Sequence, residues 1–136
     1  MTVICNGVFD ILHIGHINML IHARELAGEH GKLIVAIDED EKVMADKGLD
    51  RPIFSSMERA TALIDLRYQG KNMINEVVSF HSSLELEMLI KRIRPDVIVK
   101  GSDWEGKTVI GSDVARVVFY PRINYSTTEI LRRCRK

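Results

Sequence analysis

The chain has 136 residues, 46% of them apolar, which suits a single domain of roughly 100–150 residues with one continuous core. Lysine plus arginine and aspartate plus glutamate both number 19, so the formal net charge is zero. Large nucleic-acid partners, which call for a basic excess or stripe, are therefore disfavoured. The cysteines, Cys5 and Cys134, cannot build a disulfide scaffold or a cysteine-rich zinc site. No basic-then-apolar leader precedes the first strand and no apolar run approaches ~18 residues, so the chain reads as soluble and cytoplasmic, with no membrane contact.

Met1 to Cys5 reads as a strand buried on both faces and ended by the turn signal Asn6-Gly7. Ile14, Ile17, Leu20 and Ile21 then follow helical spacing, with Gly28 or Gly31 as the stop. Leu33–Ile37 is a second buried strand. The acidic run Asp38–Glu41 reads as a solvated helix start, and a polar loop with Lys47-Gly48 and Arg51-Pro52 follows. Ser55-Ser56-Met57-Glu58 is a capping box that opens a helix. Val77–Phe80 is the third strand. Ser82-Ser83-Leu84-Glu85 opens a helix to about Arg94, which Pro95 stops. Val97–Val99 and Val117–Tyr120 are the fourth and fifth strands, and Ser126-Thr127-Thr128-Glu129 caps the last helix. The terminal basic cluster Arg132–Lys136 suits a helix C-terminus.

Strands alternating with helices predict one α/β domain over residues 1–136, a doubly wound, mainly five-stranded parallel sheet with helices on both faces. Such sheets bind ligands at the carboxyl ends of their strands, where the strand order reverses. Loops 6–16, 38–52, 100–111 and 121–128 are thereby singled out.

The first of these loops carries the densest chemistry. Gly7 lets a backbone approach a ligand closely. His13 and His16, three apart, can project together from a first helical turn, with Gly15 leaving room beside them. A helix N-terminus adds unpaired N–H groups and a partial positive charge, and the combination suits the α-phosphate of a nucleotide. A zinc site is disfavoured, because helical ligand pairs prefer four-residue spacing and no further histidine or cysteine cluster is present. Asp10 is short and close to the glycine turn, so it suits orienting that turn as well as catalysis.

Gly7, Phe9-Asp10, His13 and Gly15-His16 resemble the G-x-F-D-x-x-H-x-G-H signature of the small cytidylyltransferase-like nucleotidyltransferases. Lys100-Gly101-Ser102-Asp103-Trp104 resembles their fourth-strand loop, and Arg122 with Ser126-Thr127-Thr128-Glu129-Ile130 resembles their arginine and S-T-T-x-I/L elements. The likeness runs in order along nearly the whole chain. Two groups within the family divide it. Residues 6–13, Lys47-Gly48, Arg51-Pro52 and Val99–Gly101 resemble the adenylyltransferase domain of ADP-heptose synthases. Asp103-Trp104-Glu105-Gly106-Lys107 and Tyr120-Pro121-Arg122 resemble glycerol-3-phosphate cytidylyltransferases.

The resemblance implies a Rossmann-like fold and a reaction in which a phosphate oxygen of a small phosphorylated polyol or sugar attacks the α-phosphorus of CTP or ATP, releasing pyrophosphate. It implies catalytic roles for His13, His16, Lys47 and Arg122, although only Ile123, Asn124 and Tyr125 separate Arg122 from Ser126, one residue fewer than in the glycerol-3-phosphate enzymes. It implies nucleotide contacts for Gly7, Val8, Phe9, Gly15, Lys100, Gly101, Asp103, Ser126, Thr127 and Thr128. Asp10, Arg59 and Trp104 are expected near the substrate, with core packing the alternative for Trp104 and a structural role the alternative for Arg59. Mg²⁺ is expected with the triphosphate, with no protein ligand assigned, and homodimers are implied. A non-catalytic nucleotide-binding module of the same fold is the alternative. A tRNA-charging fragment, which would share the letters H-I-G-H, is disfavoured by the absence of a K-M-S-K-S-like loop and of room for a tRNA-binding domain.

Overall fold

A computed structural model describes residues 1–121 and 126–135. Runs of β-branched residues form the expected strands β1 (Thr2–Gly7), β2 (Lys32–Asp38), β5 (Glu76–Phe80), β6 (Val97–Gly101) and β7 (Arg116–Tyr120). They make one all-parallel sheet in the order β5-β2-β1-β6-β7. The order reverses between β1 and β6. Strand β1 does not end at Asn6: Asn6 and Gly7 still pair with Ala36 and Ile37 of β2.

Alternate residues of these strands feed two cores. Val3, Cys5, Val35 and Val99 pack with Leu20, Ala23 and Ala27 of α1 (Ile14–Ala27) and Leu63 of α3 (Ser56–Ile64). Ile4, Ile34, Ala36 and Ile98 pack with Leu86, Leu89 and Ile90 of α4 (Ser83–Ile93). Burial on both faces explains why the strands read as unbroken apolar runs. Burial also pushes the Cys5 thiol up to about 12, against a lesser opposing effect of Lys100. Ile14, counted with the apolar face of the first helix, is 47% exposed instead.

Two elements were not anticipated in full. The helix start read at Asp38–Glu41 is realised as α2 (Asp40–Lys47), which runs on into the segment read as a polar loop and ends at Lys47. A short hairpin pairs β3 (Arg67–Tyr68) with β4 (Lys71–Asn72). Its turn puts both Gln69 and Gly70 at positive φ, the backbone of a type I′ turn, for which Asn-Gly is the stronger sequence signal. The last helix, α5 (Thr127–Cys134), starts at an N-cap Ser126. Among the described residues no helix is long and apolar enough to cross a membrane.

Arg59 ties the carboxyl end of the sheet together. It is 1% exposed. Its Nε donates to the Phe54 carbonyl at 3.0 Å, its Nη1 to the carbonyls of Val8 at 2.9 Å and Asp38 at 2.8 Å, and its Nη2 to Asp40 Oδ1 at 2.7 Å. One guanidinium thus joins the loop after β1, the end of β2, the start of α2 and the segment before α3. Arg59→Met strands these carbonyls and is expected to destabilise the fold by about 3–5 kcal/mol, read as a lowered urea midpoint. Gly111, at φ +94°, faces the second core, where a Cβ would lie 2.8 Å from both Ile90 Cγ2 and Ile98 Cδ1. Left-handed strain and overpacking together give Gly111→Ala an expected loss of about 2–4 kcal/mol in the same measurement.

Candidate active site

A cavity of about 460 Å³ opens at the carboxyl ends of the strands, over the β1/β6 reversal, a size usual for small-molecule sites. It draws together most of the expected residues: Gly7, Val8, Phe9, His13, Gly15 and His16 from the first loop, Lys47 from α2, Lys100, Gly101, Asp103 and Trp104 from β6 and its following turn, and Ser126–Thr128 from the start of α5. Arg122 lies outside the described residues. Asp10 and Arg59 do not line the cavity, contrary to the expectation that they meet the substrate.

The two histidines are built into the start of α1. His13 is the N-cap, and its Nδ1 accepts from the Gly15 N–H at 3.1 Å, while His16 Nδ1 accepts from the His13 N–H at 3.4 Å. A histidine pair here does the work of a Ser…Glu capping box. With Nδ1 accepting on each neutral ring, the ring proton sits on Nε2. The rings stack with centroids 3.8 Å apart at 24°. Phe9, 4% exposed and at φ 51°, packs its ring 5.2 Å from that of His16. A non-glycine residue with positive φ is strained and persists only where its surroundings over-determine it.

Those surroundings are visible. Arg59 holds the Val8 carbonyl, and Asp10, 3% exposed, accepts from Ile53 N at 2.8 Å and Phe54 N at 2.9 Å. Asp10 and Arg59 therefore brace the histidine loop from behind. A Cβ on Gly7 would lie 3.2 Å from the Phe9 ring, so that glycine makes room for Phe9 as well as for a ligand.

Cations surround the opening, each differently held. Lys100, 6% exposed, places Nζ 4.3 Å from the Trp104 ring centroid and 3.5 Å from the Asn6 carbonyl. Burial lowers its pKa below the usual lysine value, with the Asp38 carboxylate the main opposing influence. Trp104 is 38% exposed and belongs to the cavity wall rather than the core. Lys42 Nζ sits 3.0 Å from Asp38 and 2.8 Å from Asp46. Burial opposes its charge, but hydrogen bonds to Asp46 and Asp38 outweigh that and hold its pKa above the usual value. Lys47 is exposed at the rim. At the other side, Ser126 Oγ accepts from Glu129 N at 3.0 Å, and Thr127 Oγ1 lies 3.4 Å from the Ile11 carbonyl, which sets the start of α5 against the histidine loop. Glu129 does not complete the expected capping box; its carboxylate pairs with Arg132 at 2.6 Å.

The sequence reading missed Asp38, Lys42, Asp46 and Arg51 as cavity residues. The i, i+4 spacing of Asp38, Lys42 and Asp46 was the available signal, hidden because the acidic run was read as solvated; Asp38 is 7% exposed. Among the described residues no group of three or more His, Cys, Asp or Glu side chains is placed to hold a metal ion.

Comparison with known proteins bears on the family and the fold. Residues 4–133 match the cytidylyltransferase-like family. Bifunctional protein HldE of Campylobacter curvus is 43% identical over 117 residues, covering 86% of this chain and 23% of that protein. HldE of a Nitratiruptor species is 42% identical over 137 residues, covering 98% of this chain and 27% of that protein. The chain thus spans about a quarter of the length of these curated relatives. The crystal structure of the lipopolysaccharide core biosynthesis protein from Thermoplasma volcanium GSS1 shares the fold, with a TM-score of 0.67 at 23% identity over 93% of this chain and 98% of that one. The chain belongs to the cytidylyltransferase-like family and, with it, to the nucleotidyltransferases.

Proposed function

We propose that the chain transfers a nucleotidyl group from ATP or CTP to the phosphate of a small phosphorylated sugar or polyol, releasing pyrophosphate. The stacked His13–His16 pair at the start of α1 carries this reading. Their Nε2–H groups, together with the α1 N-terminus, supply donors for the oxygens of an α-phosphate as charge builds on it. The start of α5, with Ser126 and Thr127, offers hydroxyls and backbone N–H groups to the β- and γ-phosphates. Lys47 and Lys100 add positive charge around the polyphosphate. The protein's contribution is positioning and charge stabilisation, with no covalent enzyme intermediate. Mg²⁺ would accompany the triphosphate, held mainly by phosphate oxygens and water as is usual for this ion.

Relatives at 42–43% identity are HldE proteins, and the first loop, Lys47-Gly48 and Arg51-Pro52 resemble the adenylyltransferase domain of ADP-heptose synthases. This supports ATP with a sugar 1-phosphate as the leading pair. CTP with glycerol 3-phosphate is the second reading, favoured by Asp103–Lys107, whose Trp104 forms part of the cavity wall. The enzyme is proposed to act as a homodimer.

Pyrophosphate release measured for ATP and CTP against sugar 1-phosphates and glycerol 3-phosphate is expected to single out one pair. Nucleotide binding without release across that panel would identify a binding module instead. With the productive pair, His16→Ala is expected to lower kcat at least about a hundredfold while circular dichroism reports an intact fold. Near-normal turnover by that variant would contradict the assigned role.

A further inference from the structure

Two buried arginines flank the segment that leads into α3, and the protein treats them in opposite ways. Arg59 has its guanidinium fully engaged with Phe54, Val8, Asp38 and Asp40. Arg51 is only 9% exposed, yet its buried Nε has no hydrogen-bond partner. Its one ion-pair partner among the described residues is Asp10, whose Oδ2 lies 3.4 Å from Nε without the alignment of a hydrogen bond. Asp10 has little more to offer, because its two oxygens already accept from Ile53 N and Phe54 N. Asp10 therefore balances the charge of Arg51 without accepting a hydrogen bond from its Nε.

A guanidinium carries five N–H donors in a rigid plane, and buried donors are as a rule paired. Arg51 also lines the cavity. A guanidinium that lines the cavity with its Nε unmatched suits an oxyanion brought by a ligand, since carboxylate and phosphate match its planar edge in two-point fashion.

The position of Arg51 selects which phosphate. The start of α5 approaches the histidine loop after β7, at one edge of the sheet. Arg51 belongs to the segment after β2, on the other side of β1, where Asp38, Lys42 and Phe80 also line the cavity. In-line displacement at the α-phosphorus places the attacking oxygen opposite the departing pyrophosphate. With the β- and γ-phosphates at α5, the attack comes from the β2 side. Lys42, already held between Asp38 and Asp46, is not available as the main phosphate anchor there.

We propose that Arg51 binds the phosphate of the acceptor and holds its attacking oxygen on the β2 side of the His13–His16 pair. This rests on the transferase reading above. In the step itself an acceptor phosphate oxygen bonds to the α-phosphorus, the bond from that phosphorus to the bridging oxygen of the β-phosphate breaks, and pyrophosphate leaves with the electron pair. Arg51 orients the nucleophile and neither takes nor gives a proton.

The test is calorimetric titration of inorganic phosphate into protein saturated with a non-hydrolysable analogue of ATP or, separately, of CTP. Arg51→Gln is expected to weaken phosphate binding about tenfold or more with nucleotide affinity unchanged. Arg51→Lys, which keeps the charge but loses the fork, should fall between the two. In turnover the same variants should raise the KM for the acceptor and leave that for the nucleotide in place. Wild-type phosphate affinity in Arg51→Gln, absence of phosphate binding by the wild type, or a loss of nucleotide affinity in its place would each overturn the assignment. Should Arg51→Gln fail to fold, a folded Arg51→Lys decides: weaker phosphate binding supports the role and undiminished binding overturns it. Arg51-dependent phosphate binding without pyrophosphate release from any pair would remove the proposed reaction and leave the anion site standing.

Discussion

The interaction on which the site depends is the buried guanidinium of Arg59. A charge taken out of water is costly unless nearly every donor finds a good acceptor, and here three backbone carbonyls and one carboxylate meet that need. The consequence is geometric as much as energetic. Val8, Asp38 and Phe54 come from segments far apart in the chain, and a planar fork of donors fixes their relative positions closely. Val8 immediately precedes Phe9, whose positive φ turns the backbone toward His13. Arg59 does not itself line the cavity, yet through the Val8 and Asp38 carbonyls it holds two residues that do.

The cavity's other charges show how cations can be held in preorganised positions in a chain of zero net charge. Lys42 is neutralised by two aspartates and serves as a fixed strut. Lys100 is buried beneath Trp104, where a ring face partly replaces lost water. Lys47 stands at the exposed rim. The histidines contribute oriented N–H dipoles, and the capping bonds at Nδ1 decide which nitrogen carries the proton. Donors that are already aimed before a ligand arrives need little reorganisation when charge develops.

How much of this was legible in the sequence depended on whether the cause was local. Strands β1, β2 and β6 announced themselves because burial on both faces demands unbroken apolar runs. Ser55 and Ser82 marked helix starts through their own hydroxyls and both cap, but only Ser55 completes the expected capping box, since the Glu85 carboxylate faces His81 instead. The histidine pair was recognisable from spacing, although His13 serving as its own helix's cap was not, since histidine is not among the preferred N-caps. Arg59 and Asp10 were expected near the substrate from their place in the family motif, with a structural role for Arg59 and orientation of the glycine turn for Asp10 as the alternatives. Their inward orientation is set by carbonyls and N–H groups of distant segments, which no local pattern displays. The start of helix α2 was legible in the acidic run, but its extent was not: its sequence is mostly polar, with Val43 its one buried residue among those described, so periodicity had almost nothing to register.

The divided family resemblance falls on two segments whose contacts differ in reach. The histidine loop is held by Arg59, Asp10 and the Phe9 ring, so its backbone has little freedom to differ between enzymes that share the reaction. The segment Asp103–Lys107 is exposed, and its own backbone closure consists of short-range turns such as Glu105 N to the Ser102 carbonyl and Lys107 N to the Trp104 carbonyl. A loop held by local turns can change its residues at small cost to the core beneath it. Trp104 nevertheless reaches the cavity from that loop, with Lys100 under its ring and Lys107 5.6 Å from it. Likeness in the first loop therefore speaks to the chemistry proposed at an α-phosphorus. Likeness in Asp103–Lys107 speaks to the shape of what binds beside it, and the two can point to different substrates without contradiction.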